Sequence, residues 1–225
     1  SLVIPVPVFF FFSTYDIDVA YAYRGRGLYR TLLGAGRSLL QGRPGELIER
    51  LRVINGKKKD PYDVYEWLDA LHLKYRLRPF YFFLLAGKRE GYDKNTDPSN
   101  KGFKALIQYH AVGYPMGMHP SWQSVDDPAL ISAEKQNLES LTGKKIICSR
   151  QHYIRFSMPD TYRLLIDHEI ESDFSMGYGT VNGFRASVSS PFSWYDLDAE
   201  RATNLRIYPF CFMDANAFFQ QKNTP

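Results

Sequence analysis

Cysteine is nearly missing from this chain: two in 225 residues, too few for a disulfide framework. Cys148 and Cys211 each lie in an apolar, strand-like stretch, KKIICSR and IYPFCFMD, so the expectation for each is a buried free thiol and not a bridge. Long apolar runs are missing too. The opening LVIPVPVFFFF is short, is broken by two prolines and has no basic segment ahead of it, which argues against a transmembrane span and against a signal peptide. No basic stripe suggests a nucleic-acid partner, because Lys57-Lys58-Lys59 is short, follows Asn55-Gly56 and reads as a solvated turn. No internal repeat, low-complexity tract or clear linker divides the sequence. A single catalytic-type domain over residues 1–225 is expected, and the start at Ser1 and the end in QQKNTP leave open that it was excised from a longer chain.

What the chain has in quantity is apolar and aromatic side chains, at 44% and 16% of residues. That is enough to bury one substantial core, and sixteen tyrosines with sixteen phenylalanines are heavy use, much of it core. Aromatic excess of this kind lines grooves for ring-shaped ligands, sugars included. Short apolar runs alternate with helical patterns. Val6 to Thr14 reads as a first strand, and Asp60-Pro61 opens a helix with Val64, Trp67, Leu68, Leu71 and Tyr75 on one face. RPFYFFLLAG reads as a buried strand, followed by a helix near 100–112, a strand in YPMGMHPS, and a helix from Asp127-Pro128 to Leu141 that Gly143 stops. A strand in KKIICSR, a helix from Pro159 to Ile170, the segment IESDFSMGY and a last strand, LRIYPFCFM, complete the alternation. Such an order implies a parallel sheet, and with six or seven units a closed (β/α) barrel is expected over an open sheet.

Chemistry in such folds collects where strands end. The first strand delivers Asp16-x-Asp18 to its tip, and two neighbouring carboxylates repel unless a cation or a shared proton lies between them. A metal or acid–base site is one reading; a turn using aspartate for local hydrogen bonds is the other. His119 in MGMHPS and His152 in SRQHYIRF follow other strands, and Asp18 with His119 are suitable ligands for Zn²⁺. Arg150 leaves a strand without an acidic neighbour in sequence, and Asp16 would serve as its partner. Trp122 either stacks against a sugar or belongs to the core, and Asp173, ahead of Ser175, orients Arg150 or caps a loop. His72, His110 and His168 fall within helical patterns and are set aside.

The order of these motifs resembles the polysaccharide deacetylase, or NodB-homology, family, in a divergent bacterial branch, over roughly residues 8 to 214. Thr14-Tyr15-Asp16-Ile17-Asp18 is similar to the family's T-F-D-D with one residue inserted, and Gly117-Met118-His119 is similar to its second motif, though Gln123 stands where a second histidine is usual. Ser149-Arg150 resembles the arginine motif, with His152 in a place where relatives carry proline. Asp173 and Ser175 resemble the D-S-S strand, and Tyr208-Pro209 replaces the family's histidine-proline. The resemblance implies a distorted, seven-stranded (β/α) barrel and metal-dependent hydrolysis of an acetyl group on a glycan. It implies Asp16 as general base, Arg150 as the group that keeps Asp16 ionised, and Tyr208 in the general-acid position. Asp18, His119 and His152 are implied as ligands of a divalent metal, Zn²⁺ foremost, and Trp122, Tyr153 and Asp173 as substrate contacts. The competing expectations are a non-catalytic glycan-binding protein on the same fold and a DxD nucleotide-sugar glycosyltransferase. No Gly-rich nucleotide loop near the first strand supports the last.

Overall fold

The computed structural model describes residues 9–25 and 27–222. Seven strands form one mixed sheet in the order β1-β2-β3-β4-β5-β7-β6. They are β1 (Thr14–Ile17), β2 (Phe80–Phe83), β3 (Met116–Met118), β4 (Cys148–Ser149), β5 (Ser172–Asp173), β6 (Phe192–Asp196) and β7 (Arg201–Ile207). The helices are α1 (Leu28–Leu40), α2 (Pro44–Ile54), α3 (Tyr65–Tyr75), α4 (Lys101–Gly113), α5 (Ala129–Thr142) and α6 (Asp160–Asp167). Every ladder from β1 through β5 to β7 is parallel, and β6 pairs with β7 antiparallel. Among the described residues no ladder joins β1 to β6, so the sheet is open along that line.

The sheet nevertheless curls strongly. Phe174, just beyond β5, packs its ring on Phe80 and Phe82 of β2 at 5.1 and 5.3 Å, and Arg150, just beyond β4, reaches Thr14 of β1. Residues three strands apart touch across an interior only when the sheet bends round on itself. The pleat sorts the aromatics of β2 between two environments. Phe80 and Phe82 face this interior, while Tyr81 meets His110 of α4 at 4.3 Å and Phe83 meets Phe103 of α4 at 6.0 Å. Gly117 of β3 is a necessity of the bend: a Cβ there would run into the Phe82 ring and come within 2.7 Å of the Cys148 carbonyl oxygen.

Several expectations need correction. Among the described residues the first strand begins at Thr14; residues 6–8 lie outside them, and Phe9 to Phe12 run exposed without joining a ladder, Phe12 resting edge-on against Phe80 of β2. The face of α3 is displaced: Tyr65, Leu68 and His72 are buried, whereas Trp67 is 64% exposed. The last strand ends at Ile207 because Pro209 has no N–H to continue the ladder. Cys211 therefore lies exposed in a loop, not buried in a strand, while Cys148 is partly buried and burial pushes its thiol up to about 11. Helices α1 and α2 and the β6–β7 hairpin were not anticipated.

Candidate metal centre

Thr14, Asp16 and Asp18 alternate along β1 and its exit, so the period of two turns all three toward the curled interior. Arg150 meets the first two. Its Nη1 donates to Thr14 Oγ1 at 2.7 Å and to Asp16 Oδ1 at 3.2 Å, and its Nε donates to the Phe174 carbonyl at 3.0 Å. The guanidinium lies between the Phe82 and Phe210 rings, 5.0 and 5.3 Å from their centroids, which fixes its plane.

His119 follows β3 and extends its ladder, donating its backbone N–H to the Phe83 carbonyl at 3.0 Å. His152 opens a short 3₁₀ turn after β4 and donates its N–H to the Pro120 carbonyl. Tyr153 and Ile154, the next two residues, have φ of 56° and 53°. Left-handed backbone at a β-branched residue is strained, and strain of this kind is retained where surrounding structure fixes a site.

Both imidazoles turn their Nε2 atoms toward Asp18. His119 Nδ1 hydrogen-bonds the Arg150 carbonyl, which can only accept, so Nδ1 carries the proton. His152 Nδ1 likewise donates to Asp93 Oδ1 at 2.8 Å. The Nε2 atoms then face Asp18, His119 at 3.5 Å from Oδ1 and His152 at 3.4 Å from Oδ2. One ligand atom from each of Asp18, His119 and His152 lies within 4.8 Å of the others. Asp18 Oδ1 is closed off from solvent and has no hydrogen-bond donor, an orphaned acceptor that a divalent cation would satisfy. Asp16 Oδ2 stands 4.0 Å from His119 Nε2, at the edge of the same cluster.

The carboxylates and imidazoles of the cluster offset one another's burial. Burial alone would raise the Asp18 carboxyl, but the His152 hydrogen bond and the two imidazoles outweigh it and hold the group below its ordinary value. Burial would lower His152, and the carboxylates of Asp18 and Asp93 raise it instead.

Asp93 is a residue that sequence reasoning missed. It is fully buried and accepts from His152, from the Trp122 backbone N–H at 2.8 Å, and from the Gln123 backbone and side chain at 3.3 and 3.0 Å. Burial works against its charge, and these donors hold it ionised, below the ordinary aspartate value. Gln123, in the place of a second motif histidine, is thus occupied with Asp93 and the Lys88 carbonyl and not with the ligand cluster.

Above His152 stand three rings. Tyr153 lies 4.6 Å from the His152 ring, Tyr92 contacts Tyr153 at 5.0 Å and Trp122 at 4.9 Å, and Arg155 covers Trp122 at 3.6 Å. Tyr92, like Asp93, was missed. Asp173 is fully buried, and its carboxylate is taken up by Ser149 Oγ and by the Ser175 N–H and hydroxyl. Burial raises its pKa, and a substrate in the mouth would not reach it. Tyr208 follows β7, its N–H on the Asp173 carbonyl and its ring stacked on Phe174 at 4.6 Å.

No family model matches this sequence, and no curated protein matches it. Among solved structures, a crystal structure described as a "putative polysaccharide deacetylase from Mycobacterium smegmatis" superimposes over 92% of this chain with a TM-score of 0.45 and 11% identity. The present chain spans 62% of that protein's length. A likeness of this depth carries no inference about chemistry, which rests on the residues themselves.

Proposed function

We propose that this chain is a metal-dependent hydrolase that removes acetyl groups from a carbohydrate, on a (β/α) barrel distorted by its open seam. The observation that carries the reading is the Asp18–His119–His152 cluster with a second carboxylate, Asp16, at its edge and held by Arg150. One carboxylate and two imidazoles suit Zn²⁺, which supplies a Lewis acid for the acetyl carbonyl and lowers the pKa of water.

The remaining steps belong to the chain's own groups. Asp16 takes the proton from the attacking water, and the Arg150 guanidinium at 3.2 Å keeps it aimed. Tyr208, fixed by stacking on Phe174, is the chain's candidate to return a proton to the leaving nitrogen or oxygen. Tyr92 and Tyr153, both exposed, bind the sugar rings, with Trp122 packed on Tyr92 and covered by Arg155. Asp173 is a support for the strand ends and not a substrate contact.

Acetate release from acetylated oligosaccharides, lost in Asp16→Asn while metal is retained, is the test. The aromatic trio alone favours a second reading, a glycan-binding protein without catalysis. That reading predicts sugar binding unaltered by Asp16→Asn and no acetate released by the native chain.

A further inference from the structure

The exit of β1 leads into a helical hairpin with its polarity inverted. α1 packs principally on α2 and does so through small and polar groups. Ser38 is buried and bonds the Gly34 carbonyl at 3.0 Å and Glu46 of α2 at 3.2 Å, and a Cβ on Gly34 would come within 2.5 Å of the Arg50 guanidinium. The leucines point the other way. Leu32, Leu33, Leu39 and Leu40, at i, i+1, i+7 and i+8, share one helical face, and Ile48, Leu51 and Ile54 form a stripe on α2. These seven side chains are between 44% and 91% exposed. A stripe of this width on a helix is ordinarily turned to a core.

The charge of this segment is also unlike the rest. Residues 24–59 carry ten lysines and arginines against Glu46 and Glu49, an excess of eight positive charges. The remaining residues carry eighteen basic against twenty-two acidic side chains, an excess of four negative charges. The hairpin is anchored at its base, because the Asp60 carboxylate accepts the N–H groups of Ala22, Tyr23 and Arg24 at 2.8 to 3.0 Å. It therefore hangs from the same end of the sheet that carries Asp18.

We propose that the α1–α2 hairpin is a docking surface for an anionic lipid bilayer. The leucines and isoleucines enter the headgroup boundary, and arginines and lysines meet the lipid phosphates, as basic amphipathic helices do when they lie in the membrane plane. No helix among the described residues is long and apolar enough to cross a membrane, so this is a surface contact. A second copy of the same face is disfavoured by eight positive charges on each side. A soluble polyanion would use the basic groups and leave the aliphatic stripe uncovered. An anionic bilayer complements both.

Co-sedimentation of the full chain with vesicles tests this. Partitioning onto phosphatidylcholine vesicles containing phosphatidylglycerol is expected to exceed that onto phosphatidylcholine alone by about tenfold or more, and to weaken with salt. The triple variant Leu32→Ser, Leu33→Ser, Leu40→Ser and the triple variant Arg37→Glu, Arg52→Glu, Lys57→Glu are each expected to lose that excess while keeping the native melting transition. Leu40→Trp gives a reading independent of stability: its indole fluorescence is expected to be quenched by brominated acyl chains. Absence of binding to anionic vesicles overturns the proposal. Binding undiminished in the leucine variant overturns it in favour of a purely electrostatic contact. A dimer that the leucine variant breaks, in a chain that ignores vesicles, assigns the face to a second copy.

Discussion

Asp93 Oδ1 accepts the Nδ1–H of His152 at 2.8 Å across 59 residues of sequence. The same carboxylate receives the backbone N–H groups of Trp122 and Gln123, in the turn that follows His119 and Pro120. One buried side chain thus fixes the tautomer of one imidazole and the loop beyond the other. Asp93→Ala is expected to weaken Zn²⁺ affinity by about 10- to 100-fold without removing a ligand. Isothermal titration checks this, and an affinity equal to the native one would mean that Asp93 is only structural.

Arg150 acts through two different groups. Its carbonyl orients His119, and its guanidinium holds Asp16. Arg150→Met therefore separates the two roles: metal content is expected to stay while acetate release falls, with Asp16→Asn showing the same pattern. A loss of about 10²- to 10⁴-fold is in the range for removal of a positioned general base. Steady-state assay beside elemental analysis reads both quantities on the same preparations.

Tyr208→Phe keeps the stacked ring on Phe174 and removes only the hydroxyl. If Tyr208 donates the proton to the leaving group, kcat is expected to fall with little change in KM. The deficit should be smaller for an acetyl ester than for an acetamide, because an alkoxide leaves more readily than an amide nitrogen. Equal rates in the native chain and the variant would remove Tyr208 from the mechanism.

Asp60 carries the hairpin's anchor and gives a dependence on pH. Burial opposes its charge, but backbone N–H groups of Arg24, Tyr23, Tyr62 and Ala22 outweigh burial and depress its pKa. A depressed carboxylate contributes stability that is present above the unfolded pKa, near 3.9, and is lost as pH falls through the lower folded value. Asp60→Ala is expected to cost about 2–3 kcal/mol at neutral pH, since it strands several donors. The gap between native and variant should narrow in acid, as measured by denaturant melts across that range.

Gly117→Ala tests the curl of the sheet. The added methyl would meet Phe82 on one side and the Cys148 carbonyl, at 2.7 Å, on the other. A loss of about 1–3 kcal/mol is expected from overpacking, with reduced metal affinity because His119 is two residues on. Thermal melts with and without Zn²⁺ would show both.

The site was largely legible because its residues sit at strand exits. Asp16, Asp18, His119, Arg150 and His152 each follow a short apolar run, and the parallel order of those runs brings the five together. Asp93 and Tyr92 lie in a polar loop without periodicity, so nothing local marked either as part of the mouth. The Phe9–Phe12 run was misleading for a different reason: apolar content was read as burial, yet no neighbouring strand pairs with it. α1 and α2 escaped notice because glycines and arginines interrupt a leucine stripe that faces outward and not toward the core. The β6–β7 hairpin was hidden by an uneven mixture of polar and apolar residues, in which only Trp194, Asp196, Leu205 and Ile207 are buried.

The most direct test of the account is the metal content of the purified chain after incubation with Zn²⁺, beside His119→Ala and His152→Ala. Near-stoichiometric metal in the native chain, lost in both variants, is the predicted result. A native chain that binds no divalent ion, or one that binds it equally well without His152, would contradict the Asp18–His119–His152 site and the hydrolase reading with it.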